Sequence, residues 1–135
     1  MIPTMDFTTH AHIGRDHYRT EIRTATLDLV ADEPVENGGT GQGFNAHELL
    51  TAALGACTNI TVRMYADRKG WSLETIDTEV TISHGAGNDT THIQRSIRFT
   101  GNLDGEQTAR LLQIADRCPI HRTLSNTISI DTKLL

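Results

Sequence analysis

NAHELLTAALGACTNITVRMYADRKGW, residues 45–71, is the longest unbroken helical pattern in the chain. Asn45 is a favoured N-cap and Glu48 stands at the third helical position, so the stretch opens on a capping box. Leu50, Ala53, Leu54, Cys57, Ile60, Thr61 and Met64 then follow at spacings of three and four, on one stripe. Leu49, Ala52 and Ala56 widen it, and the helix is apolar over most of its girth as far as Ile60. That girth predicts a central, buried helix. Asp67, Arg68 and Lys69 mark its solvated end, where cations suit the C-terminus and Gly70 suits the residue just beyond. Cys57, one of two cysteines in the sequence, lies about three turns in.

Upstream, Glu36 to Phe44 (ENGGTGQGF) is a loop with four glycines. It has no G-K-[ST] and no G-x-G-x-x-G after an apolar strand, so its glycines do not make a phosphate cradle. Ala31-Asp32-Glu33-Pro34 breaks the pattern before it, since proline cannot continue a ladder. Tyr18 to Val30 is rich in β-branched residues and reads as a strand, in a hairpin with the segment from Asp6 to Ile13. Downstream, Leu73 to His84 alternates at Ile76, Val80 and Ile82, and Thr91 to Thr100 at Ile93, Arg95, Ile97 and Phe99. With the glycine-rich turn between them they form a β-hairpin that Gly101 stops. Asp104 with Gln107 caps a second helix running to about Arg117. Cys118-Pro119 ends it, because the residue before proline is pushed out of the helical region. Proline is well placed to open a short helix, PIHRTLSN. Ile128, Ile130, Thr132 and Leu134 alternate as a closing strand. The order implies an α+β fold with antiparallel sheet, in a single domain covering residues 1–135.

The net charge of −5 argues against a nucleic-acid binder. No apolar run reaches the roughly 18 to 20 residues of a membrane span, and the opening MIPTMDFTTHAHIGRD lacks the layout of a signal peptide. The expectation is a cytoplasmic protein. Two cysteines there read as free thiols or a working redox pair before a structural bridge.

Cys57 on an apolar stripe has two readings. It is a small buried hydrophobe, inert because burial disfavours thiolate, or a reactive thiol supplied with charge from outside its own helix. Cys118 stands at the N-cap of the short helix, where the dipole favours thiolate, with His121 and Arg122 within a turn. Its alternative is simple packing at a helix junction. The sequence carries no C-x-x-C and no Cys/His cluster at zinc spacing, so no metal or other cofactor is expected. His10, His12, His17, His84 and His92 read as surface residues.

Several phrases resemble the OsmC/Ohr family. They are Ala31-Asp32-Glu33-Pro34 with Gly38-Gly39, Glu48-Leu49-Leu50 running into Ala52-Ala53-Leu54-Gly55-Ala56-Cys57-Thr58, Met64-Tyr65-Ala66 with Lys69-Gly70, and Cys118-Pro119-Ile120-His121 with Leu124. The resemblance implies an intertwined homodimer in which antiparallel sheets wrap the central cysteine-bearing helices. It also implies thiol-dependent reduction of organic hydroperoxides, with Cys57 as the attacking thiolate, Cys118 as the resolving thiol and an external dithiol as reductant. The family's activating glutamate falls at His47, and this chain has glutamate one residue later, at Glu48. The loop from Glu36 to Phe44 has no arginine, which leaves Arg19 and Arg23 on the preceding strand as candidate cations. The departures keep a second reading open: a non-catalytic small-molecule-binding or redox-responsive protein on the same fold.

Overall fold

The computed structural model describes residues 6–135, apart from the side chain of Asn88. Residues 1–5, on which the reading of a leaderless start partly rests, lie outside it. The chain forms two compact units that divide after Leu49.

The first unit is built on three antiparallel strands in the order β1-β2-β3: β1 (His10–Ile13), β2 (Thr20–Arg23) and β3 (Asp28–Ala31). The expected hairpin between the opening segment and the next strand is present, with Ala11 opposite Ile22. The single strand expected over Tyr18 to Val30 is instead two. Thr24 folds the chain back: its hydroxyl accepts the N–H groups of Thr26 and Leu27 at 3.2 and 3.0 Å, and its own N–H reaches the Leu27 carbonyl at 2.8 Å. A threonine side chain that captures nearby backbone donors competes with the ladder and makes a turn.

The D-E-P phrase does more than interrupt a strand. Asp32 is buried, and its carboxylate accepts N–H groups from Tyr18 (3.1 Å), Glu33 (2.7 Å), Thr40 (3.2 Å) and Gln42 (3.3 Å), together with the Thr40 hydroxyl. That hydroxyl bond, supported by the Tyr18, Glu33 and Gln42 amides, holds the carboxyl well below the usual carboxylate range. Two glycines of the following loop are required by close approach: a Cβ on Gly39 would stand 2.0 Å from the Glu33 carbonyl oxygen, and one on Gly43 2.2 Å from that of Val30. The loop is therefore a wrap around one carboxylate.

Helix α1 (Ala46–Lys69) begins as its sequence dictates. Asn45 accepts the Glu48 N–H at 2.8 Å, and Glu48 accepts the Asn45 N–H at 2.9 Å. It ends at Gly70, in the left-handed region at φ 70°.

In the second unit, α1 packs with the antiparallel hairpin β4 (Ser72–His84) and β5 (Thr91–Asn102), then α2 (Gly105–Ala115) and α3 (Pro119–Ser125). The core joins Val62, Ala66, Leu73, Leu111, Ile114 and Ala115, with Trp71, Ile76 and Phe99 against it. Asp104 and Gln107 form the expected capping box of α2. Gly101 does not stop β5; at φ 132° it sits beside the irregularity between Leu73 and Thr75, and the strand runs on to Asn102.

Two expectations are corrected. The stripe α1 buries is Leu54, Thr58, Val62 and Ala66, at spacings of four. Leu50, Ala53, Ile60 and Met64 are exposed, Met64 to 65%, so within one chain the helix is covered on one side only. The closing strand over Ile128 to Leu134 has no regular structure and is exposed, Ile130 to 83%. Alternation alone does not make a strand. A ladder needs a partner edge, and among the described residues none pairs with this segment.

Candidate thiol site

Cys57 and Cys118 are brought together. Cys57 projects from the middle of α1 and is half-buried; Cys118 is wholly buried, and both are free thiols. Pro119 explains the position of Cys118. It forces the residue before it into an extended conformation (φ −65°, ψ 139°) and opens α3, which leaves Cys118 as the N-cap. The Cys118 sulfur accepts the His121 N–H at 3.2 Å. The Ile120 N–H, the Thr61 side chain and Cys118 all lie close enough to the Cys57 thiol to act on it. Two backbone donors from the first turn of α3 thus serve the two sulfurs.

Burial, and secondarily the hydrogen bond and charge of Cys118, push the Cys57 thiol up, while the Ile120 N–H and the Thr61 side chain draw it down. Burial is the largest of these effects, so the pair as it stands in one chain does not favour Cys57 thiolate.

The cation in this network is Arg95, on the inner face of β5. Its side chain is 11% exposed. One guanidinium nitrogen donates to the Thr58 hydroxyl oxygen at 3.0 Å. Another reaches Asp116 at 2.6 Å and the His121 Nδ1 at 3.2 Å. Thr58 is fully buried; its hydroxyl donates to the Leu54 carbonyl at 2.7 Å and lies 4.0 Å from the Cys118 sulfur. A cavity of about 230 Å³ beside this group is lined by Leu54, Ile93, Arg95, His121 and Leu124 among others. Arg95 did not figure among the expected site residues. The signal for it was its place in an inward alternation between Ile93 and Ile97, where a charged residue must find buried partners.

The other expected residues have local partners. Arg19 pairs with Glu21 at 2.9 Å, and Arg23 with Glu21 at 3.3 Å and Asp28 at 3.4 Å. Glu48 is engaged in the capping box, and His47 stands beside it in the first turn of α1. Among the described residues, no group of three or more His, Cys, Asp or Glu side chains could hold a metal ion, and no helix is long and apolar enough to cross a membrane.

The family model described as OsmC-like protein matches residues 39–133. None of the curated proteins compared matches the chain. Solved structures do. A protein from Psychrobacter arcticus 273-4, named for osmotic stress induction and a detoxification response, is 22% identical with a TM-score of 0.73, covering 91% of each chain. An OsmC-like protein from Mycoplasma pneumoniae is 19% identical with a TM-score of 0.76, covering 89% of this chain and 87% of that one. An organic hydroperoxide resistance protein from Legionella pneumophila is 23% identical with a TM-score of 0.67, covering 92% of each. At these identities the likeness shows the fold.

Proposed function

We propose that this chain, which belongs to the OsmC-like protein family, reduces organic hydroperoxides through Cys57 and Cys118. The observation that carries the reading is that two free thiols from distant parts of the sequence lie close enough to act on one another. The Cys57 thiolate, its proton given to water, attacks the outer peroxide oxygen; the O–O bond breaks, Cys57 becomes a sulfenic acid, and the alkoxide leaves and takes a proton from water to become the alcohol. Cys118 then displaces hydroxide from that sulfur, giving a disulfide and water. An external dithiol restores both thiols and is itself oxidised to a disulfide.

The working form in this reading is a homodimer. Its support is the apolar side of α1 that one chain leaves open, where Ile60, Met64 and Ile76 line a cavity of about 400 Å³, together with the unpaired alternating segment from Ile128 to Leu134. A second copy would cover both, and would be the source of any further cation for Cys57.

The upward push on the Cys57 thiol favours a second reading, a redox-responsive or small-molecule-binding protein without turnover. One experiment separates them. The reduced protein is treated with a slight excess of cumene hydroperoxide, and thiol loss and dithiol-dependent turnover are followed in wild type, Cys57→Ser and Cys118→Ser. The enzyme reading expects fast loss of both thiols in wild type and a trapped sulfenic acid at Cys57 in Cys118→Ser. Thiol loss no faster than that of free cysteine overturns it.

A further inference from the structure

Arg95 occupies a position that the proposed peroxide chemistry at Cys57 does not use. Its guanidinium is anchored by Asp116 and His121 through one nitrogen and points a donor of another at Thr58, one residue along α1 from Cys57. The Thr58 hydroxyl spends its single proton on the Leu54 carbonyl at 2.7 Å, yet its oxygen is already 4.0 Å from the Cys118 sulfur. Rotation about one side-chain bond redirects that proton to the sulfur, because the Leu54 carbonyl keeps its helical N–H partner. The Arg95 N–H on the Thr58 oxygen polarises the hydroxyl and makes it the stronger donor. With the His121 N–H at 3.2 Å, Cys118 has two donors arranged for negative charge on its sulfur and a cation behind one of them. Cys118 is wholly buried, whereas Cys57 is half-exposed.

We infer that Arg95, acting through Thr58, is a positioning residue for the reductive half of the cycle, and that Cys118 is the sulfur released when an external dithiol reopens the Cys57–Cys118 disulfide. The inference rests on the thiol-pair reading above. The entering thiolate can reach only the Cys57 sulfur. Its electron pair forms the new bond to Cys57, and the pair of the Cys57–Cys118 bond leaves on Cys118 as thiolate, which receives the Thr58 and His121 donors. The second thiol of the reductant, as thiolate, then attacks its own sulfur in the mixed disulfide and releases Cys57 thiolate; protons exchange with water. A leaving sulfur whose charge is stabilised leaves faster. Asp116 moderates the Arg95 charge, but it also fixes the guanidinium plane against Thr58.

The disulfide form is made with diamide, so that its preparation does not depend on any peroxidase activity. Its reduction by dithiothreitol is followed by stopped flow in wild type, Arg95→Met, Arg95→Lys, Thr58→Val and Thr58→Ser. Loss of the Thr58 donor to a charged sulfur in Thr58→Val, or of the Arg95 charge that polarises and orients it in Arg95→Met, is expected to slow reduction about tenfold. Lys and Ser, which keep the charge and the hydroxyl, should recover most of that rate; a merely structural role would not order the variants this way. With the monothiol glutathione, peptide mapping should find the first mixed disulfide on Cys57. Wild-type rates in Arg95→Met and Thr58→Val, absence of rescue, an adduct on Cys118, or no disulfide with diamide each overturn the inference. Normal ordering of these rates with no response to cumene hydroperoxide overturns only the peroxidase reading.

Discussion

Replacing Thr58 by valine changes one buried oxygen for a methyl group and leaves the volume of α1 nearly untouched. The structure fixes what that costs. Thr58 has no exposure, and its oxygen is the acceptor for an Arg95 N–H at 3.0 Å. Asp116 and His121 still hold the other guanidinium nitrogen, so the charge remains paired. The Leu54 carbonyl loses the hydroxyl at 2.7 Å but keeps its intrahelical N–H. The net loss is one buried donor left without an acceptor, about 1–3 kcal/mol. Thr58→Ser keeps the hydroxyl and removes one buried methyl, about 1 kcal/mol. Urea unfolding at fixed protein concentration measures both, since association would make stability concentration-dependent. At a slope of about 1–3 kcal/mol per molar, valine should lower the midpoint by roughly 0.5–1.5 M with the slope unchanged. Serine should cost no more than valine. A valine variant as stable as wild type would mean that Arg95 finds another acceptor at no cost, and the Arg95–Thr58 link would lose its energetic basis.

Three further outcomes follow from particular contacts. Asp32 has a folded-state pKa below its ordinary 3.8, so its contribution is fully present above that value and lost as pH falls below it. Asp32→Asn should therefore remove part of the acid dependence of unfolding, and limited proteolysis should cut first between residues 36 and 44. Gly101→Ala should destabilise far more than Gly70→Ala, although both glycines have positive φ. A Cβ at Gly101 would meet the Ser72 carbonyl oxygen at 2.1 Å, whereas at Gly70 it meets nothing within 4 Å; thermal melts should show about 1 kcal/mol for Gly70→Ala and several times that for Gly101→Ala. In a monomeric form of the protein, the pH profile for alkylation of Cys57 by iodoacetamide should turn above the ordinary thiol value of 9.0, because burial pushes it up. Cys118→Ala should move that profile down without restoring the ordinary value, since it relieves the smaller effect.

Most of the second unit was legible because its signals are local. A proline fixes the Cys118 junction, Asp104 and Gln107 name a helix start, and alternation marks β4 and β5. The failures share one cause: the residues involved answer to something beyond their own element. The turn at Thr24 depends on a hydroxyl outcompeting a ladder, which β-branched composition disguises as strand. Asp32 was read through Pro34, as a break, whereas its carboxylate organises ten residues of loop. Arg95 was counted as one step in an alternation, although its place among isoleucines is what makes its partners necessary. Ile60 and Met64 were assigned to a buried helix face and Ile130 to a strand on pattern, and one chain supplies neither the cover nor the partner edge they need. The pairing of Cys57 with Cys118 was available only through family resemblance, since 61 positions of sequence say nothing about contact.

The thiol pair is asymmetric in a way that bears on assembly. Inside one chain, two donors, one of them with a cation behind it, are placed for Cys118, while Cys57 has an amide and the Thr61 side chain against a larger burial effect. In the homodimer reading with Cys57 as the attacking sulfur, the missing charge comes from a second copy over the open side of α1, and reactivity then follows assembly. Charged substitutions on that side, Ile60→Asp with Met64→Asp, replace two exposed apolar side chains and disturb no core contact of the second unit. They should convert the protein to a monomer by light scattering. They should also slow thiol loss to cumene hydroperoxide at pH 7.5 by at least tenfold, the effect of about 1.4 kcal/mol of lost charge interaction. Dilution of the wild type through its dissociation range should reproduce the same fall. A monomer that reacts as fast as the assembled protein would place the activating group within the single chain and leave the second copy with no part in the chemistry.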